Sequence, residues 1–464
     1  MSKELQKDRI PWRFMLPLVL STMLNPLNST MLATALITLC SSLKISVGEG
    51  AVLITSLYVT ATVAQPLMGR LADIYSPRKI NTIGFYLVLL ASVLGIAAPN
   101  LGWLIVSRVV LGIGTSAAYP SAIALINKEY AGKNRTVPGN ILGIVAVSSQ
   151  VSMILGPTLG GLLSQAFGWR GILFINIPWV IAGLLLSRGI PDFPVEKANR
   201  SKCFVEMVDL VGVLLFTSFL LAMLYVLTEH HFLMFSAAGA TMLFGSLIFW
   251  EWHQKQPFID IRLLVGKPAL SLVYVRTLAT NYILYILLNA VPQWIQTVKH
   301  IGPARSGLIM LPMTAMAIGV GLLVSRINRP VMQNVLGVTV MLVACAGVIS
   351  FKESMSVLAV TGFLLIVGIA DGINMIANQS LLDREAPLEQ KGVSFGLYRT
   401  AGYIGAILAG SQLKVIFHQG VTDRAFHHIG YFALISGFIL LLLLIPLFIL
   451  KTPSAGKGYR GAVS

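Results

Sequence analysis

A chain of 464 residues that is 56% hydrophobic and only 11% charged, with a mean hydropathy of +0.79, has too little polar surface to fold as a soluble globular domain. A net charge of +16 would suit a nucleic-acid partner if Lys and Arg formed one stripe, but they are scattered through short connections between apolar runs, so they are read as orienting the chain in a membrane. Cys40, Cys203 and Cys345 lie far apart, with no C-x-x-C pair and no His at ligand spacing, so no disulfide framework, metal or other cofactor is expected.

Apolar windows long enough to cross a bilayer as helices begin near Trp12, Ala51, Asn81, Leu101, Gly139 and Gly171, then near Asp209 and Phe232. Six more begin near Leu270, Ser306, Val331, Val357, Val393 and Tyr431, which makes an all-α membrane protein of fourteen spans. Lys3, Lys7, Arg9 and Arg13 ahead of the first window look like the start of a secretory leader. The apolar run is too long for a leader's core, and another span follows at once.

Basic residues gather on alternate connections, from Arg70, Arg78 and Lys79 through Lys128 and Arg188 to Arg384 and Lys391, and at both ends of the chain. The opposite connections hold Lys44, Arg170, Lys299, Arg305, Lys352, Lys414 and Arg424, a bias of about three to one that puts both termini in the cytoplasm of a cell bounded by a plasma (inner) membrane. The segment GLLVSRINRP from Gly321 takes the place in the second half that GRLADIYSPRK from Gly69 takes in the first. Two related six-span bundles follow, over residues 1–190 and 270–452. Between them lie a linker at 191–207, two inserted spans at 208–252 and a linker at 253–269, and a tail closes the chain at 453–464.

In the first span, Ser21, Asn25 and Asn28 share a helical face, which would be costly against lipid and is read as lining a cavity, or else as polar glue between helices. GRLADIYSPRK puts Arg70, Asp73, Arg78 and Lys79 into one short tether that forces an antiparallel helix pair. Arg108 lies inside the fourth span and must face protein, water or an acid, unless it snorkels to the outer interface. Gly156-Pro157 and Gly160-Gly161 give the fifth span a bend and a small-residue face.

The ninth span repeats the polar stripe with Asn281, Tyr285, Asn289, Gln293 and Gln296. Tyr119, Tyr282 and Trp294 offer aromatic surface for a flat or cationic ligand, or serve as interfacial anchors. Asp371 is the one acid well inside a span, with Asn374 and Asn378 on its face. It reads as a functional carboxylate, or as a structural acid paired with Arg276 or Arg399. Arg276 is near enough to its span end to snorkel, whereas Arg399 should face the protein interior.

GRLADIYSPRK resembles the signature loop of the major facilitator superfamily, roughly G-x-L-x-D-R-x-G-R-R/K, with Ile74 and Ser76 departing from it. RVVLGIG at Arg108 resembles that superfamily's fourth-helix motif R-x-x-Q-G-x-G, with Leu111 for Gln. The glycines of the fifth span resemble the antiporter motif of its exporters, with Ser152 for the leading Gly. WRGILFINIPW from Trp169 is similar to a stretch of the fourteen-span drug:proton antiporter-2 family. LNSTMLATAL from Leu27 matches that family's L-D-x-T-x-x-x-x-A-L, except that Asn28 replaces the Asp.

The resemblance implies a carrier, not an enzyme, that exports amphipathic or cationic small molecules against protons by alternating access. No H-E-x-x-H pair, G-x-S-x-G elbow or phosphate-binding loop argues otherwise. It also implies a proton-coupling role for Arg108, with Asp371 expected to carry the proton that Asn28 cannot. The substrate cavity would be lined by Asn25, Asn28, Tyr119, Asn281, Tyr285, Asn289, Gln293 and Asn374. Gly69, Arg70, Asp73, Arg78, Lys79, Gly156, Pro157, Gly160 and Gly161 would serve the conformational change. The expected partners are a small-molecule substrate, protons and the lipid bilayer, with the chain a monomer. A metabolite or peptide exporter or a uniporter without proton coupling, and a transporter-like sensor, remain alternatives.

Overall fold

Chain chemistry sets where the helices begin. Asn100, Ser356 and Thr422 each accept a hydrogen bond from the backbone N–H three residues on, at 3.1, 3.2 and 3.2 Å, and Ser46 with Glu49 forms a capping box. Pro77, Pro268, Pro303 and Pro330 take the first helical position, where a missing N–H costs nothing.

The computed structural model describes residues 12–131, 139–191, 193, 209–228, 233–254, 257–327, 329–386 and 391–446, and the regular elements among them are all α-helices. The first copy of the repeat holds α1 (Trp12–Leu43), α2 (Val47–Gly50), α3 (Val52–Ile74), α4 (Pro77–Ile96), α5 (Leu101–Ser116), α6 (Ala118–Ala131), α7 (Gly139–Phe167), α8 (Gly171–Phe174) and α9 (Asn176–Ser187). Next come α10 (Leu210–Thr228), α11 (Leu233–His253) and α12 (Ile261–Gly266). The second copy holds α13 (Pro268–Thr297), α14 (Pro303–Val324), α15 (Pro330–Val348), α16 (Val357–Glu385), α17 (Lys391–Ile416) and α18 (Asp423–Leu442). The expected linker at 253–269 thus holds α12. Cys203, the expected tail and, apart from 191 and 193, the expected linker at 191–207 lie outside the described residues.

Among the described residues, 11 helices are long and apolar enough to cross a membrane, or 12 if one bent pair is a single span, so the fourteen spans expected are not reached. In that pair Val151–Phe167 and Gly171–Ser187 fold on each other through 118°, at a turn where Gly168 takes a φ of 67° open to glycine without steric cost. The thirteenth window, α17, has the length, but Arg399, Thr400, Ser411 and Lys414 dilute its apolar character.

One packing order occurs twice. α1 lies on α7 as α13 lies on α17, α3 on α5 as α14 on α16, and α4 on α9 as α15 on α18. The first helix of each copy is followed by a left-handed residue that is not glycine, Lys44 at φ 55° and His300 at φ 54°. A continuous buried cluster joins the copies, from Met31 and Leu36 through Ile54 to Ile283, Leu287, Met310 and Leu413.

The hairpin of α10 and α11 stands outside this core, with Met234, Phe235, Met242 and Phe249 exposed as lipid-facing side chains would be. Its base is polar. Asp209 accepts from the Gly212 N–H at 2.9 Å and the Trp250 indole at 2.8 Å, and the buried Glu251 accepts from the Ile259 N–H at 3.2 Å. A Cβ on Gly212 would strike both carboxylates, and both lie in electrostatic reach of Arg70, which donates to the Pro257 carbonyl at 2.6 Å. α10 packs on α3 of one copy and α17 of the other.

Candidate functional site

The copies meet where α1 touches α13, α3 touches α17 and α7 touches α14. Their tightest approaches lie toward the end opposite Gly69–Lys79. There Gln296 donates to the Thr34 carbonyl at 2.8 Å and Thr158 to the Gly307 carbonyl at 3.1 Å. A Cβ on Gly161 would strike the Pro303 carbonyl, and one on Gly48 would strike the backbone of Lys414 and His418.

Gly156 and Gly160 serve the packing of α7 on α1, where added Cβ atoms would meet Thr30, Met31 and Thr34. The Thr34 hydroxyl donates to the Pro157 carbonyl at 2.8 Å. The fifth-span motif therefore seats α7 on its own copy with two glycines and on the other copy with a third.

Halfway along the helices the seam turns aromatic and polar. Tyr58 of α3 stands edge-on to Tyr285 of α13, with centroids 5.1 Å apart at 65°, and is tilted against Tyr403 of α17 at 6.0 Å. One turn nearer the Gly69–Lys79 end, the Arg399 guanidinium lies on the ring of Tyr119, 3.5 Å from its centroid, and within hydrogen-bonding reach of Tyr403. Asp371 and Arg399 are both in electrostatic reach of Tyr285 and Tyr398.

Tyr119, Asp371, Tyr398, Arg399 and Tyr403 are half-buried although other helices surround them, so the middle of the seam holds space between the copies. Asp371 makes no hydrogen bond or ion pair among the described residues, which removes the reading of it as an acid paired with Arg276 or Arg399.

Asn28 and Asn176 of α9 exchange amide hydrogen bonds, each at 2.8 Å, and Arg108 donates to the Asn28 carbonyl at 3.2 Å. Arg108, 3% exposed, faces protein and does not snorkel. Asn25 is half-buried and donates to Thr115 at 2.9 Å, while Asn281 is half-buried and donates to the Thr277 carbonyl at 2.9 Å.

The other amides expected in a cavity wall are packed away: Asn28, Asn289, Gln293 and Asn374 are between 0% and 2% exposed. Helix packing explains this. α13 lies directly on α1 at the closed end, and Asn374 is pressed against Gly337. Both side-chain polar atoms of Gln293, and the Oδ1 or Oε1 atoms of Asn289, Gln296 and Asn374, have no hydrogen-bond partner among the described residues.

Trp294 is fully buried, donating to Asp423 at 2.8 Å with Phe351 edge-on to its ring, and Tyr282 is bonded to Gln412, so both are structural and not cavity surface. Arg276 does not snorkel either. It is fully buried and held by Asn334, Asn378 and the Leu443 carbonyl. Neither Tyr58 nor Tyr403 is among the residues the sequence motifs single out, and Asn176 enters there only as the Asn of WRGILFINIPW. The two tyrosines carried a usable signal, because they sit in mid-span, away from the ends where interfacial anchors belong.

The Gly69–Lys79 segment is less a tether than two helix ends, since only Tyr75 and Ser76 separate α3 from α4. Arg70 reaches the inserted hairpin's base, Arg78 donates to the Arg188 carbonyl at 3.4 Å, and Lys79 is exposed. Gly69 lies against Pro120, where a Cβ would fit at 3.4 Å. The side chain of Asp73 lies outside the described residues.

Two like-packed sets of apolar helices around a polar middle that retains space define a membrane carrier. The chain matches the model of the Major Facilitator Superfamily over residues 18–410 and belongs to that family, so it is a transporter and not an enzyme. It is 29% identical over 431 residues to YwoD of Bacillus subtilis (strain 168), an uncharacterised MFS-type transporter, covering 91% of this chain and 94% of that one. It is 24% identical over 428 residues to the multidrug efflux pump SdrM of Staphylococcus aureus (strain N315), covering 89% and 91%. The solved structure of a bacterial homologue of the human lysosomal transporter Spinster, inward-facing and unoccupied, shares the fold with a TM-score of 0.68 at 13% identity, covering 96% of this chain and 100% of that one.

Proposed function

We propose that the chain is an exporter of the drug:proton antiporter-2 type, moving amphipathic small molecules out of the cell in exchange for protons, with both termini cytoplasmic. Asp371 carries the reading: a half-buried carboxylate in mid-span, without a hydrogen bond or ion pair among the described residues, beside Tyr285, Tyr398 and the space between the copies. Arg108 would act one step away, through its bond to Asn28, on the helix that faces α13. Gly69–Lys79 and the glycines of α7 would serve the rocking of the copies, with Asn25, Tyr119, Asn281 and Tyr285 on the path of the substrate. The cationic substrates that the motifs also imply have less support, because Arg108 and Arg399 outnumber the one carboxylate in the middle of the spans.

The test is flux in proteoliposomes under an imposed pH gradient, with a panel of cationic, neutral and anionic compounds. Adding substrate should move internal pH, and Asp371→Asn should cut gradient-driven flux about tenfold or more, equivalent to about 1.4 kcal/mol of lost coupling. The Asn28–Asn176 pair, which puts no carboxylate in the first helix, favours an uncoupled carrier as the second reading. Flux indifferent to the gradient would select it.

A further inference from the structure

We propose that the central site selects flat aromatic solutes bearing an acidic group, and discriminates against lipophilic cations, with Arg399 and Tyr119 as the specificity-determining pair. The proposal rests on the exporter reading for its account of transport, but its argument is one of site chemistry.

The charge inventory points first. Arg108 lies in electrostatic reach of Tyr58, Arg399 reaches Tyr403, and both tyrosines belong to one ring cluster. Neither guanidinium has a carboxylate bonded to it among the described residues, and Asp371 is the single acid nearby. With Asp371 ionised the cluster carries one net positive charge, and with Asp371 protonated it carries two. In a medium of low dielectric that field repels a cation in both states and lacks a counter-ion that an anion would supply.

The shape of the site points to the rest. Arg399 spends the face of its guanidinium on Tyr119, which belongs to the other copy, and Tyr403 takes only part of its N–H edge, so further donors are left for a carboxylate or phenolate. A planar ring slipping between the two would replace one stacking partner with another at little cost, beside the half-buried ring of Tyr403, which the buried Tyr58 backs from the other copy. Because Tyr119 and Arg399 come from opposite copies, a solute lodged there would touch both. Exchange of one outgoing anion for one incoming proton is electrically equivalent to moving two positive charges inward. An inside-negative potential would then drive export along with the pH gradient.

Fluorescein, a flat aromatic anion, and ethidium, a flat aromatic cation, separate the possibilities. Binding to the purified full chain is read by fluorescence polarisation, and flux is read separately in proteoliposomes with and without an inside-negative potential. Fluorescein should bind at least tenfold more tightly than ethidium. Arg399→Gln should abolish that preference, Arg399→Lys should weaken it, Tyr119→Phe should preserve it and Tyr119→Leu should reduce it. Arg399→Lys and the wild-type comparison carry the test if Arg399→Gln fails to fold. Ethidium bound as tightly as fluorescein, or fluorescein binding unchanged in both Arg399 variants, would overturn the proposal. Fluorescein bound with this pattern but not moved by either gradient would uphold the site's selectivity and bring down the exporter reading.

Discussion

At Asn28 the chain holds an amide where the motif it resembles holds a carboxylate, and Asn176 answers with a second amide. The pair is neutral and fully reciprocal, so Asn28→Leu would strand the Asn176 amide in a buried site at a cost of about 1–3 kcal/mol. A lower melting temperature is expected by scanning fluorimetry. Asn28→Asp should melt between wild type and the Leu variant, because the new carboxylate accepts from the Asn176 amide but cannot donate to its Oδ1. Equal stability of the Leu variant would mean the pair is idle. The first-helix polar stripe was legible from spacing alone, but not its partner, which lies 148 residues on. The same limit explains Gln293, whose place in the stripe was readable while its burial depends on how α13 meets α1.

Along α7, glycine position decides which neighbour comes close. Gly161 faces Pro303 and Ala304 of the other copy, whereas Gly156 faces Thr30 within its own. Gly161→Val should therefore keep the copies apart at the closed end while sparing the fold. Gly156→Val should lower stability by the roughly 1–3 kcal/mol of an overpacked contact. Cysteine cross-linking between α7 and α14, alongside melting curves, distinguishes them. If both variants cross-link like wild type, the glycine face does not control the seam. Helix existence was legible because apolar length is sufficient evidence of a span. Span counting was harder: a sharp turn at Gly168 and the polar content of α17 both depart from the uniform windows on which a count relies.

Across the whole molecule, the inserted hairpin touches one helix from each copy and grips α3 through Arg70, Asp209, Glu251 and the Pro257 carbonyl. Arg70→Ala removes the cation that faces two carboxylates and should cost about 1.5–3 kcal/mol, as for hydrogen bonds to charged groups. Proteolysis between α9 and α10 should also become faster if the hairpin loosens. Unchanged melting and unchanged proteolysis would show that the hairpin is held by apolar packing alone. The amide oxygens of Asn289 and Gln296 and both amide atoms of Gln293, without partners among the described residues, have a consequence for the balance between conformations. Each buried polar atom left without a partner costs about 1–3 kcal/mol, so the sealed end is penalised by the very side chains it hides. Separation of the copies would hydrate those atoms and return that energy. That penalty works against the apolar packing that seals this end, so parting of the copies costs less than the packing alone would set.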